Sequence, residues 1–470
     1  MAQTINPVKP GQPENKMGTM SVPKLLFSMA FPMMVSMLVQ ALYNIVDSVF
    51  VSRVSEDALT ALSLAFPVQN LMIAVGAGTG VGINALLSRS LGEKNFDRAN
   101  RAACNGICLI LISAVVFLLF GIFGSRIFFE MQTDSVSIIE SSVDYLSIVC
   151  IGAPFLLSQI TFERLLQSTG KTVYSMICQG TGAIANIILD PILIFGMFGL
   201  PAMGVAGAAL ATIIGQALAC LIGLYLNLTR NHEIRLSFSG LRLQKSIVGQ
   251  IYQVGLPTIV MLSIGSIMTL GMNTILMGFT STATAIFGVY FKLQSFAIMP
   301  VSGMNNAMVP IIAYNYGARH RKRIIETVKL GVVAATVFLV CVMLLFQIFP
   351  EQVFSLFEAS EDMLSMGIPA LRIITLHFLF AGFSIISGSV FQALGKGTLS
   401  LAASVIRQLV VLLPTAYLLS LTGEVNHVWW SFPIAEIASA AFCGLFLYRI
   451  YIRIIKPLGE AVPETAPEKR

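Results

Sequence analysis

The chain has 470 residues, of which 56% are hydrophobic and 11% are charged, and its formal net charge is +6. Soluble domains carry about 25% charged residues, so this composition excludes an ordinary soluble protein and indicates a polytopic membrane protein. No basic stripe with interleaved aromatic residues is visible, so we expect no nucleic-acid partner.

Twelve apolar stretches are long enough to cross a bilayer as helices, each of which needs about 20 residues. The loops between them are short and polar, which leaves no room for the alternation of a β-barrel. We therefore predict an all-α membrane protein with about 12 transmembrane helices. The predicted spans are residues 24–52, 58–88, 102–123, 141–166, 172–195, 204–227, 248–278, 281–312, 327–349, 366–393, 398–421 and 428–452.

The two ends of the chain are polar, and we predict disordered cytoplasmic tails at residues 1–20 and 457–470. The first tail lacks a short apolar core followed by a cleavage site, so we expect no cleaved signal peptide. Between the tails we predict an N-terminal six-helix bundle over 21–228 and a C-terminal six-helix bundle over 247–456. A cytoplasmic linker over 229–246 joins the two bundles.

Basic residues are concentrated in alternate loops, whereas the other loops are mainly acidic. The positive-inside rule then places the basic loops and both termini in the cytoplasm of a bacterial plasma (inner) membrane. The basic loops hold Arg89, Lys94, Arg98, Arg101, Lys171, Arg230, Arg235, Arg242, Lys245, Arg319, Arg321, Lys322, Arg323 and Lys396.

The chain repeats itself, because the shift in numbering that brings Pro32 onto Pro257 also superposes other landmarks without a gap. We call this displacement the repeat shift. Each half holds an even number of predicted helices, so we expect two parallel bundles related by a pseudo-two-fold axis along the membrane normal, with a central cleft between them. The further matches include Gly78 with Gly303, Gly92 with Gly317, Arg98 with Arg323, and Gln167–Lys171 with Gln392–Lys396.

Two acidic residues, Asp47 and Asp190, lie inside predicted spans of the first half. A carboxylate there costs several kcal/mol unless something compensates its charge. Asn186 precedes Asp190 by four residues and shares its helix face, and Pro191 frees a backbone carbonyl. Both acids are late in outward-running helices, so they could share one site for H+ or Na+. Alternatively, Asp190 only bonds a neighbouring helix and Asp47 is interfacial.

Uncharged polar and methionine side chains in the spans are candidates for a substrate cleft set apart from the two acids. Methionine adapts its shape and suits varied apolar ligands, although it is also common lipid-facing filler. A lysine in the eighth span either carries charge into the cleft or snorkels to the interface. The candidates are Gln40, Tyr43, Asn44, Gln69, Met268, Met272, Asn273, Lys292 and Gln294.

Four further charged residues lie deep in the spans or near their ends. Glu436 is a candidate partner for Arg407, and Glu163 either closes the cytoplasmic end or forms an interfacial ion pair with Arg164. The sequence does not settle these pairings. The seven cysteines predict free thiols, and no Walker motif or metal-ligand cluster is present. Energy for transport would therefore come from an ion gradient.

The segments Leu42–Asp47 and Asn186–Leu193 resemble the multidrug and toxic compound extrusion (MATE) family, closest to its bacterial DinF-like branch and the staphylococcal multidrug exporters. The resemblance covers about residues 20–455. It implies a monomeric antiporter, not an enzyme, that exports cationic or amphipathic compounds in exchange for H+ or Na+ and needs no other cofactor.

The resemblance also implies a cation site in the N-terminal half, at Asp47, Asn186 and Asp190. Related proteins add a threonine from the sixth helix, for which Thr212 is the nearest candidate although its spacing is about one turn off. No metal site beyond Na+ at these residues is expected. The branch with acids on the seventh and tenth helices is disfavoured, because those spans hold none here.

Three other functions compete with drug export. A flippase or exporter of a lipid-linked or metabolite substrate would have more than twelve helices and an arginine-rich cleft. An uncoupled channel or scaffold would not need the repeat or the isolated acids. A membrane-embedded enzyme would need a catalytic constellation, which is not visible.

Overall fold

The computed structural model describes residues 15–54, 56–236, 242–355, 357 and 360–459. Eleven helices in these ranges are long and apolar enough to span a membrane, and a pair bent by 46° at Gly152 makes a twelfth. The prediction of an all-α membrane protein with about twelve spans is confirmed. The outer parts of the predicted tails and residues 237–241 of the predicted linker lie outside the described residues.

We label the twelve spans α1 to α12 in chain order. Apolar spans fold as helices because every backbone polar group must find its partner inside the segment. Short helices Ser125–Glu130 and Pro350–Ser355 follow α3 and α9. The spans are α1 Val22–Ser52, α2 Glu56–Gly92, α3 Phe96–Phe123, α4 Val136–Ile151 with Ala153–Ser168, α5 Thr172–Phe195, α6 Gly204–Thr229, α7 Lys245–Met277, α8 Ser281–Gly317, α9 Arg321–Ile348, α10 Glu361–Ala393, α11 Gly397–Ser420 and α12 Val425–Leu458.

The repeat seen in the sequence is present in the helices themselves. Applying the repeat shift to the bounds of α2, α3 and α5 reproduces the bounds of α8, α9 and α11. The short helix after α3 maps in the same way onto the short helix after α9. The two halves, α1–α6 and α7–α12, therefore share one helix plan.

The halves meet through their first two helices, because α2 packs on α7 and α8, and α1 packs on α8. A Cβ atom on Gly92 would lie 2.0 Å from the carbonyl oxygen of Tyr314, and one on Gly317 would lie 2.2 Å from that of Arg89. These two contacts exchange under the repeat shift. The backbones of α2 and α8 are thus in direct contact about a pseudo-two-fold axis.

That contact lies at the end of the molecule where α1 begins and where α2 and α8 end. The loops and first helical turns at this end carry Arg98, Lys171, Arg230 and Arg323, and we call it the basic face. Other glycines in this part of the spans also lie close to the opposite half. One of them is Gly78, which faces Ile259. The halves are therefore packed tightly together toward the basic face.

Part of the segment predicted to be a disordered tail is ordered. Residues Lys16–Thr19 form a helical turn whose first residue follows the cap Asn15, and Met17 is fully buried. The Asn315 side chain donates to the Met17 carbonyl over 3.1 Å. The polar composition suggested disorder, but donors from the second half satisfy this backbone. At the other end, Lys456–Gly459 is also helical, so the first residues of the second predicted tail are ordered.

The same N-terminal turn is bonded to loops of the first half. The Asn15 amide donates to the Thr169 carbonyl over 3.0 Å and to the Glu233 carboxylate. Burial lowers the pKa of the Lys16 ammonium and raises the pKa of the Glu233 carboxyl. The predicted linker over 229–246 covers the gap between α6 and α7, but its role as a domain boundary stays a prediction.

Candidate functional site

A cavity of about 700 Å³ lies within the first half. Its walls come from α1, α2, α4, α5 and α6, and α7 adds Leu262. The predicted site residues Gln40, Tyr43, Asn44 and Asp47 of α1 all line this cavity, and we call them the α1 stripe. Spacings of three and four residues put these side chains on one helix face, as predicted.

Amide side chains connect the helices around the cavity. The Gln179 Nε2 atom of α5 donates to Gln40 Oε1 of α1 over 2.7 Å. The predicted residue Gln69 of α2 also lines the cavity, and its Nε2 donates to the Tyr145 hydroxyl of α4 over 2.9 Å. Neutral amide and hydroxyl groups therefore interrupt a cavity wall that is otherwise mainly apolar.

A recess of about 70 Å³ opens beside the large cavity between α1, α5 and α6. It shares Gln40 and Tyr43 with the large cavity and ends at Asn186 and Thr212. Asp190 lies one turn beyond Asn186 and is completely buried. The two cavities are therefore adjacent, and Asp190 lies next to the recess without lining it.

Hydrogen bonds join the predicted cation-site residues of α5 and α6. The Asn186 Nδ2 atom donates to Asp190 Oδ1 over 3.3 Å and to Thr212 Oγ1 over 3.2 Å. Thr212 in turn donates to the Ala208 carbonyl over 3.0 Å. The structure thus brings Thr212 to the site despite the spacing that disfavoured it.

Three oxygen atoms of this region are buried without a hydrogen-bond donor: Asp47 Oδ1, Asn186 Oδ1 and Asp190 Oδ2. Buried polar atoms are normally hydrogen-bonded, so three such acceptors together need a partner. Asp47 lies within electrostatic range of Asp190. Two carboxylates, an amide oxygen and a hydroxyl are hard oxygen ligands, which suit a proton or a small cation.

Replacing Thr212 by valine tests whether this hydrogen-bond cluster holds α5 against α6. Valine keeps the shape but removes the acceptor of Asn186, so we expect a loss of about 0.5–2 kcal/mol in stability, the range for hydrogen bonds between membrane helices. Thermal unfolding in detergent measures it. Thr212→Ser should restore wild-type stability, and Thr181→Val, whose hydroxyl bonds only the Ile177 carbonyl in its own helix, is the control. Equal stability of Thr212→Val and wild type would contradict the role.

The five predicted cleft residues of the second half do not line the large cavity. Met268 and Met272 are buried in the core of the second half, and Gln294 borders a separate small cavity. Asn273 is half-buried, whereas Lys292 is exposed. Helical periodicity showed which residues share a face, but not which neighbour that face packs against. The cavity wall thus combines one predicted acid, Asp47, with the first-half cleft candidates, whereas Asp190 is not part of the wall.

The small cavity of the second half adjoins a charged network. Arg407 NH1 lies 3.3 Å from Glu436 Oε2, and His377 Nδ1 lies 3.7 Å from the same oxygen. The Tyr290 hydroxyl is 2.7 Å from His377 Nε2. Arg407 belongs to a π-helical turn, Ile406–Leu412, a feature often found at specialised sites. The structure therefore pairs Arg407 with Glu436, which the sequence left open.

This network has no equivalent in the first half. Under the repeat shift, the positions of Tyr290, His377, Arg407 and Glu436 correspond to Ala65, Gly152, Gly182 and Ala211. Gly182 borders the recess beside Asn186. Two of these first-half positions are closely packed, because a Cβ atom on Gly152 would lie 2.4 Å from Ile213 Cγ1 and one on Gly182 would lie 3.0 Å from Ala219 Cβ.

Several cavity residues were missed by sequence reasoning. Gln159, Gln179 and Gln216 line the cavity, and each is an amide within an apolar span. The same criterion that picked out the α1 stripe would have found them. Glu163 accepts from Gln159 Nε2 over 3.0 Å and is not paired with Arg164.

Arg164 instead reaches the other half. Its NH1 donates to Gln167 Oε1 over 3.0 Å and to Asn306 Oδ1 of α8 over 3.1 Å. Of the two alternatives left open for Glu163, the ion pair with Arg164 is not found among the described residues, where each of the two side chains hydrogen-bonds a neutral partner. Arg164 lies at the end of the cavity nearest the basic face and bridges the halves there.

A family model described as MatE matches residues 32–192 and again residues 257–418. The two matches start at positions that the repeat shift brings together, and they cover more than half of the chain. The chain belongs to the MatE family. Each half of the chain therefore contains one copy of the MatE unit, and this accounts for the repeated helices.

Curated relatives agree over nearly the whole chain. The multidrug export protein MepA of Staphylococcus saprophyticus is 28% identical over 437 residues, which covers 92% of this chain and 95% of the relative. MepA of Staphylococcus aureus strain MSSA476 is 26% identical over 451 residues, covering 93% and 96%. MatE members of this kind are multidrug exporters, so the chain is a membrane transporter and not an enzyme.

Solved MatE structures share the fold. A MATE protein in complex with MaL6 has a TM-score of 0.88 at 25% identity, covering 95% of this chain and 100% of that chain. An outward-facing multidrug resistance MATE family transporter of the MOP superfamily gives the same score, identity and coverage. The arrangement of twelve spans in two bundles is that of the MatE family.

Proposed function

We propose that this chain exports cationic or amphipathic drugs across the bacterial plasma membrane in exchange for H+ or Na+. The observation that carries the proposal is the group of unpartnered buried oxygens of Asp47, Asn186 and Asp190 beside a cavity of about 700 Å³. The candidate cation site and the cavity that admits a drug-sized molecule therefore have part of their lining in common. Each half-chain supplies one bundle, so a monomer is sufficient.

The cavity suits varied drug-sized ligands. Its volume lies within the range of about 300–1,000 Å³ that is usual for small-molecule sites. Met33, Met37, Phe66 and Met72 provide adaptable apolar contacts, and promiscuous binding surfaces use such residues. The amides and the Asp47 carboxylate provide polar contacts and a negative charge for a cationic group.

Coupling follows from the position of Asp47. It borders the drug cavity and is within electrostatic range of Asp190. A cation that binds among Asp47, Asn186 and Asp190 removes the negative charge that attracts a cationic drug. Binding of the inward-moving cation and release of the drug are thereby linked, because each ligand changes the affinity for the other.

Orientation follows from the basic loops. We place the basic face and both termini in the cytoplasm by the positive-inside rule. The tight contacts between α2, α7 and α8 lie toward that face, which supports an outward-facing state with its cytoplasmic end closed. The cation would then enter from outside and leave into the cytoplasm after the halves have moved.

The test is ethidium transport by purified protein in liposomes under an imposed pH gradient or an imposed Na+ gradient, one at a time. We expect one of the two gradients to drive ethidium against its concentration difference, because the site binds one kind of cation. Transport that follows neither gradient, or that needs no gradient, would overturn antiport. Movement of a lipid-linked substrate without ethidium transport would favour a flippase.

A further inference from the structure

Two arginines bond across the halves at the basic face. We propose that Arg98 and Arg323 are a symmetry-related pair of gate residues, each of which ties its own half to the start of the first helix of the other half. The inference rests on the proposed alternating-access export, because a gate matters only if this face opens. It assigns to two named side chains the closure of the cytoplasmic end.

Arg98 lies in the first turn of α3. Its NH1 is 2.8 Å from Glu93 Oε2, at the end of α2 in the same half. Its NH2 donates to Gln250 Oε1 of α7, in the other half, over 2.6 Å. Glu93 is held in turn by Arg89, whose Nε is 2.8 Å from Glu93 Oε1. One guanidinium thus joins the end of α2 to the beginning of α7.

Arg323 occupies the same place in the second half. Its Nε donates to Asn315 Oδ1 of α8 over 2.9 Å. Its NH2 donates to the carbonyls of Met17 and Met20, directly before α1, over 2.9 and 2.7 Å. One guanidinium thus joins the end of α8 to the beginning of α1.

The two sets of contacts are related by the repeat, because the repeat shift brings Arg98 onto Arg323. Helix packing agrees, since α3 packs against α7 and α9 packs against α1. The geometry uses the rigid fork of arginine, whose several N–H groups can reach two or more acceptors at fixed angles. Both arginines are half-buried, and the acceptors on the far side are neutral.

Opening the basic face separates α3 from α7 and α9 from α1, and therefore breaks the three cross-half bonds that Arg98 and Arg323 donate. Hydrogen bonds from charged groups are stronger than neutral ones, so these bonds favour the closed state. At the same level the contacts of Gly92 and Gly317 bring the two backbones together. The small glycines allow the two halves to close at this level, and the hydrogen bonds of the arginines stabilise the closed state.

The test is hydrogen–deuterium exchange of the full-length protein in lipid nanodiscs, without drug or gradient. We compare Arg98→Ala, Arg323→Ala and the double variant with wild type. In the ends of α2 and α8 at the basic face, we expect exchange to rise about tenfold in each single variant and about 100-fold in the double, because the two arginines share no hydrogen-bond partner and their effects add. Exchange at the opposite ends of α1 and α7 should fall.

That opposite response separates a gate from a general structural role, because simple destabilisation raises exchange at both ends. Arg101→Ala and Lys322→Ala remove exposed basic residues next to each gate residue and should leave exchange unchanged. If an alanine variant does not fold, Gln250→Ala removes the cross-half acceptor together with a long bond of 3.5 Å to Ser246 in the same helix, and Arg323→Lys should restore part of the protection.

Unchanged exchange in the double variant, a rise at both ends, or an equal rise in the two controls would overturn the inference. None of these outcomes depends on ethidium transport. The proposed antiport can therefore stand while the gate fails, and the gate can stand if the coupling ion or the substrate proves different.

Discussion

Asp190→Asn should abolish gradient-driven drug export while leaving expression and thermal unfolding close to wild type. Asparagine has the same size, and its oxygen can still accept from Asn186 Nδ2 as Asp190 Oδ1 does over 3.3 Å. The substitution removes the charge of a fully buried carboxylate, and intramembrane carboxylates of this kind are costly and usually functional. We expect at least about a tenfold loss of ethidium transport in liposomes.

Asp144→Asn is the matched control, because Asp144 is an exposed acid on α4. It changes the same chemical group and should transport at the wild-type rate. Normal export by Asp190→Asn would remove the coupling role of this residue. Loss of export together with a large fall in unfolding temperature would show that Asp190 stabilises the fold instead.

The double substitution Gly92→Ala with Gly317→Ala should prevent the halves from closing at the basic face. The two added methyl groups would lie 2.0 and 2.2 Å from the carbonyl oxygens of Tyr314 and Arg89, far inside van der Waals contact. The backbones of α2 and α8 must separate, at a cost of about 1–3 kcal/mol for overpacking. We expect a lower unfolding temperature and a severe loss of transport, measured in detergent and in liposomes.

Gly288→Ala on α8 is the control for helix propensity, since no atom lies within 4 Å of an added methyl group there. Alanine favours a helix over glycine by about 1 kcal/mol, so this variant should be neutral or more stable. If the double variant unfolds at the same temperature as Gly288→Ala, the close backbone contact does not determine closure.

Much of the fold could be predicted because the sequence patterns that specify it are long and occur twice in the chain. Apolar runs of spanning length gave the twelve helices, and the single shift that pairs Pro32 with Pro257 gave the two halves. The α1 stripe from Gln40 to Asp47 was predictable because its spacing fixes one helix face, and only a protein-facing surface tolerates such residues. These features depend on local periodicity and on burial from lipid.

Other features depend on which helices become neighbours, and the sequence does not show this. Met268, Met272 and Gln294 are residue types that suit a drug-binding cleft, but they pack inside the second half. Met17 follows a polar, proline-containing stretch, yet it is buried because Asn315 and Arg323, on helices of the other half, bind its carbonyl. Thr212 was ranked low from its spacing, and only the packing of α5 against α6 brings it to Asn186.

The ion pair of the second half reduces the force that the membrane voltage exerts on the two charges that form it. Moving one elementary charge through a potential of 100 mV involves about 2.3 kcal/mol. Arg407 and Glu436 carry opposite charges 3.3 Å apart, so the field does almost no net work on them as the second half moves. Asp47 and Asp190 have no basic partner among the described ion pairs. The ion pair itself therefore adds little to the electrical work of transport, whereas the cation proposed to bind at Asp47 and Asp190 would change the charge of the first half.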